Sequence, residues 1–400
     1  MEEIRRFILL LLASSVVTVV AQRIRIPYTL ALLLLGLVLG ALDVAAPFLT
    51  LSSDVILLLF LPPLLFEAAF VLDLELLWTR RRGVLVLAVI GVALATLVAG
   101  GISYWAVGIP WSVALLFGAM IAATDPVAVL AVFRQLGVDE RLSVLLEGES
   151  LFNDGIALVL FTTLVTTVTD GFHPHMASLS FGWSVVGAVA IGLLVGGGGY
   201  FLIDHTDDAL TEMLISVAVA YGAFLAADEL AASGVLATLA AGIALGRVGR
   251  TRLGLLSNGV GPLVELWEFL AFLANSALFL EMGITVRTTS LFDHGMSVVW
   301  GIVAALVGRA AVAYLLGPVI SFLGTTVSIK ERHVLFWGGL RGAIALAAAL
   351  SLPADFPHQS QLLAMTYGAV LFTLIVQGLT ITPLVRFLGL RQDPDRVTSP

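Results

Sequence analysis

The 400-residue sequence has no cysteine, one lysine and few charged residues of any kind. Without cysteine, the chain has no disulfide, no thiol nucleophile and no thiolate metal site. Charged residues make up 12% of the chain and hydrophobic residues 59%, whereas a soluble domain carries about 25% charged residues. This composition predicts an all-α, multi-pass integral membrane protein that has a lipid bilayer as its surroundings.

Phosphate-binding motifs are also missing from the sequence. The glycine run at 196–199 lies in an apolar segment and is not followed by Lys-Ser or Lys-Thr. It therefore indicates close helix packing rather than a phosphate loop. We expect no nucleotide, no nucleic acid and no cofactor as partners, and neither enzymatic activity nor ATP-driven pumping.

Long apolar runs predict about 13 transmembrane helices, at about 20 residues per span. The predicted ranges are 5–22, 28–42, 54–72, 83–107, 111–134, 141–169, 181–203, 210–228, 233–247, 259–281, 296–322, 331–352 and 362–388. Of the 20 lysine and arginine residues, 15 fall in one alternate series of connections and the tail, and three in the other. The positive-inside rule then places the N-terminus outside a prokaryotic cell membrane and the C-terminus in the cytoplasm.

The helix order contains a repeat. If the seventh helix is a connector, the flanking helices form two six-helix sets of opposite orientation, an inverted repeat typical of secondary transporters. The fifth helix of each set is interrupted. In one set the break is Ala123–Pro126, where proline removes a helical hydrogen bond, and in the other it is the glycine-rich stretch Gly338–Gly342. Two broken helices at matching positions indicate a binding site at the membrane midplane.

Ionisable residues lie deep inside several predicted helices. Each charge costs about 2.5–3.5 kcal/mol in hydrocarbon on insertion scales. Five separate helices nevertheless bring such groups to similar depth, namely Glu67, Asp125, Asp154, Arg309 and Arg341. One such group is tolerable by accident, whereas five indicate an aqueous or ion-lined cavity at the midplane.

The segment 147–155 is the most polar of these stretches. Ser150, Asn153 and Asp154 stand at i, i+3 and i+4 of one helix and therefore share a face. For Asp125 and Asp154, a packing network of buried polar groups is the alternative, and ion binding is favoured. Oxygen ligands alone, including the Thr124 carbonyl freed by the helix break, suit a hard cation such as Na⁺.

Other charged residues have different predicted roles. Glu149 and Arg309 are expected to form a structural ion pair, since a buried arginine needs an anion. Arg341 is expected to balance the negative C-terminal end of a half-helix at the break. Glu67 is favoured as a lining residue of the ion path, and for Glu147 structural and functional roles stay equally open.

Four motifs stand in one order along the chain. They are Leu-Pro-Pro-Leu-Leu-Phe-Glu at 61–67, Ala-Thr-Asp-Pro-Val-Ala-Val at 123–129, Phe-Asn-Asp-Gly at 152–155 after Glu-Gly-Glu-Ser, and Gly-Leu-Arg-Gly-Ala at 339–343. Together they resemble the NhaP-type sodium/proton antiporters. These form the Asn-Asp branch of the cation/proton antiporters and are related to animal sodium/proton exchangers. The resemblance covers nearly all 13 predicted helices.

The resemblance implies an NhaA-like antiporter fold and a homodimer. A core domain, about 83–169 and 296–388, would carry the ion, and a dimerisation domain, about 1–72 and 181–281, would stay fixed. Asp154 resembles the carboxylate that binds the ion and the proton. The residues that would complete this site are Thr124, Asp125, Ser150 and Asn153, with Glu67 at its edge.

The expected function is electroneutral exchange of Na⁺, with Li⁺ as a further candidate, for H⁺ by alternating access. Na⁺ is the transported substrate, and it would bind at Thr124, Asp125, Ser150 and Asp154. The resemblance implies one titrating carboxylate fewer than in electrogenic relatives, which carry a second Asp in place of Asn153. A K⁺/H⁺ antiporter, a cation channel and a non-transporting scaffold are the alternatives.

Overall fold

The computed structural model describes residues 12–21, 23, 26–41, 53–171, 174–206, 208–252, 261–285 and 293–390, and these residues are almost entirely helical. Several basic residues on which the predicted orientation depends lie outside the described residues, including Arg5, Arg6 and Arg287. The orientation of the termini therefore stays a prediction.

Fifteen helices are described. The first eight are α1 (Leu12–Ala21), α2 (Tyr28–Ala41), α3 (Ser53–Val71), α4 (Leu74–Val107), α5 (Trp111–Ala122), α6 (Val127–Leu136), α7 (Glu140–Asp170) and α8 (Pro174–Ile203). The other seven are α9 (Ala209–Glu229), α10 (Gly234–Arg252), α11 (Pro262–Thr285), α12 (Gly295–Phe322), α13 (Ile329–Trp337), α14 (Ala343–Leu350) and α15 (Gln359–Leu388).

The described helices confirm the all-α, membrane-type fold. Eight helical stretches, with α5 and α6 taken together, are long and apolar enough to cross a membrane. Shorter apolar helices occur within α1, α2, α3 and α10. Each predicted range overlaps a described helix, and the number of membrane crossings stays a prediction.

Two predicted boundaries are wrong by about two helix turns. α4 begins at Leu74 rather than at residue 83, because the Asp73 carboxylate accepts hydrogen bonds from the N–H groups of Glu75 and Leu76. Arg80, together with the two arginines that follow it, therefore lies in a helix and not in a connection. Similarly, α8 begins at Pro174 instead of residue 181, and proline is well suited to a first helical position.

The two predicted helix breaks are present. α5 ends where Ala123 turns extended, with a ψ of 136°, and α6 begins at Val127 directly after Pro126. Because proline restricts the residue before it to extended backbone, the helix cannot continue through Asp125. The second break separates α13 from α14, and Gly342 is extended there.

The two breaks lie against each other. The backbone N–H of Asp125 donates to the carbonyl of Leu340 at 2.8 Å. A Cβ on Gly342 would lie 2.4 Å from the Asp125 side chain. Glycine is thus required here for two irregular segments to approach so closely.

The helices pack in two sets. One set joins α2, α3 and α8–α11, and the other joins α4, α5, α7, α12 and α15. Close packing within the first set depends on small residues: a Cβ on Gly36 of α2 would lie 2.3 Å from the carbonyl oxygen of Leu280 in α11. The short helix α14 contacts both sets.

Candidate functional site

A cavity of about 310 Å³ lies between the two helix sets. The first set lines it with Tyr28, Glu67, Glu268 and Asn275, among others. The second set and the two breaks line it with Thr124, Asp125, Arg134, Glu147, Ser150, Asp154 and Gly342–Ala345. Arg134 and Glu268 are exposed, so the cavity opens at their end of the helices.

One stripe of α7 faces this cavity. Glu147, Ser150 and Asp154 follow each other at i, i+3 and i+7, and all three line it. Asn153 belongs to the same predicted face but is not among the lining residues; it is 2% exposed. The structure therefore divides the predicted face into a stripe on the cavity and a stripe packed inside the protein.

Thr124, at the first helix break, connects both stripes. Asn153 donates from Nδ2 to the Thr124 hydroxyl at 2.8 Å, and its Oδ1 accepts the Thr124 backbone N–H at 3.4 Å. The Ser150 hydroxyl donates to the Thr124 carbonyl. This carbonyl is thus already engaged by Ser150, where the sequence predicted a carbonyl freed by the break. The Thr124 N–H also lies against the Asp154 carboxylate.

Asp125 is held by the backbone of its own break. Its carboxylate accepts the N–H of Val127 at 3.0 Å, the start of α6. Both Asp125 and Asp154 are half-buried, and among the described residues neither forms an ion pair. Two carboxylates without a fixed counter-ion, next to the hydroxyl of Ser150, make an oxygen-lined site that can take up a cation.

Arg341, at the second break, bonds to backbone carbonyls. Its Nη1 donates to Ala122 and Ala123 at 3.1 and 3.0 Å, and its Nη2 donates to Ala305 at 3.3 Å. Ala122 is the last residue of α5, so the guanidinium lies at the negative end of that half-helix. Its backbone N–H donates to Thr373, in a π-helical segment of α15.

Arg309 contacts α13, the half-helix before the second break. Its Nε donates to the Leu335 carbonyl in the last turn of α13 at 2.9 Å, and its two Nη atoms bond to both carboxylate oxygens of Glu149, one of them at 2.9 Å. Glu149 is 1% exposed and Arg309 4%. A bidentate fork of this kind satisfies a buried arginine well. A Cβ on Gly339 would lie 2.4 Å from Nε of Arg309, so glycine leaves room for this arginine.

Three cavity residues of the first helix set were not predicted from the sequence. Tyr28 and Asn275 line the cavity and are hydrogen-bonded to each other, and Glu268 lies at its mouth. A signal was available, because Glu268, Phe272 and Asn275 recur at i, i+4 and i+7 on α11 and form one helical stripe. Only the fold shows that this stripe lines the same cavity as Asp154.

The chemistry of the cavity suits a monovalent cation and a proton. Its ligand atoms are carboxylate, hydroxyl and amide oxygens, which hard cations prefer. Within the described ranges, no group of three histidine or acidic side chains is arranged to hold a resident metal ion. The fold and the cavity together are typical of a membrane transporter of the broken-helix type, with an acidic cavity beside the two breaks.

Comparisons with known proteins agree with this class. The family described as "Sodium/hydrogen exchanger, transmembrane" matches residues 8–387, and the chain belongs to that family. It is 38% identical to the Na⁺/H⁺ antiporter ApNhaP of Aphanothece halophytica, over 98% of this chain and 76% of that protein. It is 36% identical to the Na⁺/H⁺ antiporter NhaH of Halobacillus aidingensis, over 96% of this chain and 97% of that protein.

A solved structure supports the fold. The sodium proton antiporter MjNhaP1 from Methanocaldococcus jannaschii superposes with a TM-score of 0.79, at 22% identity, over 97% of this chain and 99% of that one. The predicted antiporter fold is thereby confirmed. The roles of individual site residues remain predictions.

Proposed function

We propose that this chain exchanges Na⁺ for H⁺ across a prokaryotic cell membrane, one for one, by alternating access. The carboxylate of Asp154 binds either Na⁺ or H⁺, and Asp125, Ser150 and Thr124 complete the Na⁺ site, with Glu67 on the approach. The observation that carries this proposal is the cavity that reaches Asp154 between two helix sets. Relatives at 36–38% identity that are named Na⁺/H⁺ antiporters support the choice of ions.

The position of the site supports alternating access. In the proposed division, Asp125 and Asp154 belong to the core domain, about 83–169 and 296–388, whereas Glu67, Glu268 and Asn275 belong to the dimerisation domain. Movement of the core against the dimerisation domain, about 1–72 and 181–281, would close the cavity at one end and open it at the other. In the proposed orientation, with the N-terminus outside, the present cavity opens to the cytoplasm, and the chain works as a homodimer.

The test is a proton-flux assay with purified protein in liposomes that contain a pH-sensitive dye. Pulses of Na⁺ and Li⁺ are applied while K⁺ and valinomycin hold the membrane potential at several values, and pulses of K⁺ are applied to separate liposomes without valinomycin. We expect Na⁺ to drive proton movement at a rate that does not follow the potential. A response to K⁺ alone would favour the K⁺/H⁺ alternative, voltage-driven flux would indicate a channel, and no signal at all would indicate a scaffold.

A further inference from the structure

A second cavity, of about 390 Å³, lies away from the ion site at one end of the second helix set. α4 passes beside it, α7 begins there, and the connection from α12 to α13 lines it. Its polar lining comprises Arg80, Arg141, Ser321, Thr326 and Ser328, together with the carboxylates Asp139 and Glu331. None of these residues takes part in the ion site.

The two arginines of this cavity have no fixed counter-ion. Arg80 is half-buried and Arg141 is exposed, and neither guanidinium has a hydrogen-bond or ion-pair partner within the part of the chain that the structure describes. The two carboxylates are engaged by backbone instead. Asp139 accepts the N–H of Arg141, and Glu331 accepts the N–H of Ser328. The guanidinium groups are therefore available to an external anion.

Further donors converge on the same space. Ser328 accepts the backbone N–H of Glu331 through its hydroxyl oxygen, which leaves the hydroxyl hydrogen free to point elsewhere. The first turns of the 31-residue helix α7 and of α13 also lie at the cavity. Their N-terminal ends add partial positive charge, which favours an anion.

The apolar surface beside the cavity places it at the membrane interface. Phe322 and Ile329, next to two of the serines, are 91% and 57% exposed. Trp78, two residues before Arg80 on α4, is 68% exposed and lies under the Arg81 guanidinium at 4.8 Å. Exposed aromatic and arginine side chains at the end of a membrane helix are typical of headgroup depth.

We propose that this cavity binds the phosphate group of an anionic phospholipid. Arg80 and Arg141 bind the phosphate oxygens with charge-assisted hydrogen bonds, the hydroxyls of Thr326 and Ser328 donate to it, and the acyl chains lie along Phe322 and Ile329. The two carboxylates of the cavity offset the two arginines. A singly charged phosphodiester therefore fits better than doubly charged inorganic phosphate.

A bound headgroup would connect two helices of the second set with the short helix α13. Arg80 is on α4, Arg141 on α7 and Ser328 at the start of α13. α7 carries the ion site and α13 leads to the second break. The lipid would therefore stabilise this end of the transporting half of the protein.

The test is thermal unfolding of the purified, detergent-solubilised chain, followed by the fluorescence of its seven tryptophans. The additions are phosphatidylglycerol, phosphatidylcholine or inorganic phosphate. We expect phosphatidylglycerol to raise Tm more than phosphatidylcholine does. Removing one arginine, as in Arg141→Gln, should weaken the apparent lipid affinity by about tenfold, the value of one charge-assisted hydrogen bond. The double variant Arg80→Gln/Arg141→Gln should lose most of the shift.

Arg82→Gln is the matched control, because Arg82 is exposed on the same helix and does not line the cavity. It should respond to phosphatidylglycerol like the wild type. An equal response of all variants would overturn the site. A response to inorganic phosphate without one to phosphatidylglycerol would overturn the lipid assignment. If the double variant does not fold, Arg141→Gln alone decides, since its side chain is exposed and its loss leaves no buried gap.

Discussion

Two carboxylates on α7, five residues apart, have opposite surroundings. Glu149 is buried and forms a bidentate pair with Arg309. Asp154 lines the cavity, and among the described residues it has no ion-pair partner. The same chemical group on the same helix thus has a fixed counter-ion at the first position and faces an open cavity at the second. The stripe of the helix on which a residue lies decides its surroundings.

The variant Asp154→Asn tests the carboxylate on the cavity and should have the largest effect. Asparagine keeps the size of the side chain but cannot bind and release a proton at physiological pH, so we expect exchange to be abolished in a folded protein. Proteoliposome proton flux measures the loss, and thermal unfolding in detergent checks the fold. Glu140→Gln is the control, because Glu140 lies in the exposed first turn of the same helix. Near-normal flux in the Asp154 variant would contradict the proposed ion site.

Removal of Arg309 tests the role of the buried carboxylate, Glu149. Arg309→Ala leaves Glu149 buried without its partner, and losses of about 3–5 kcal/mol are typical when such a pair is broken in soluble proteins. We expect a larger drop in Tm than Asp154→Asn causes. The change also leaves the Leu335 carbonyl without its donor.

A double variant shows whether the loss of stability comes from the broken ion pair or from lost packing. Arg309→Ala with Glu149→Ala removes both charges, so part of the stability should return relative to Arg309→Ala alone. If the double variant is no more stable than the single one, the ion pair is not what the arginine contributes.

The sequence predicted most of this arrangement because the signals are local. Proline and glycine interrupt two helices visibly, and charges inside apolar runs identify Asp125, Asp154 and Arg309 by position alone. It could not divide α7 into its two stripes, since Asn153 and Asp154 are adjacent and only the position of the cavity distinguishes them. Tyr28 and Asn275 were missed because neither carries a charge. Their place on the cavity depends on how α2 and α11 pack against the core.

The proposed ion exchange at Asp154 also predicts competition. If Na⁺ and H⁺ share its carboxylate, the apparent Na⁺ affinity should weaken as pH falls below the pKa of the site. One-proton competition limits the slope to about tenfold per pH unit. Proteoliposome flux at a series of Na⁺ concentrations, repeated across pH, measures this slope. An Na⁺ affinity that is constant over several pH units would mean that the two ions use different groups.

The smallest expected effect concerns the residue beside Asp154. Asn153→Asp adds a carboxylate at the position where electrogenic relatives carry one, according to the sequence resemblance. The structure gives Asn153 two hydrogen bonds to Thr124 and no place on the large cavity. The Thr124 hydroxyl can rotate to donate to the new carboxylate, and the backbone N–H of Thr124 already points toward this position. These two donors limit the cost of burying the added carboxyl, and we expect a loss of stability of about 1–3 kcal/mol, the range for a disturbed buried hydrogen bond. We also expect exchange to stay electroneutral.

A matched variant makes this last expectation decisive. Asn275→Asp adds the same group on the cavity itself, opposite the α7 stripe. It should change the apparent Na⁺ affinity, because a carboxylate there meets the ion directly. Steady-state current on a solid-supported membrane, measured for both variants, distinguishes the positions. The opposite result would be net charge movement by the Asn153→Asp variant together with an unchanged Na⁺ affinity in the Asn275→Asp variant. It would show that residues of the buried stripe, and not those of the cavity stripe, bind the transported ions. The assignment of the two stripes would then be reversed.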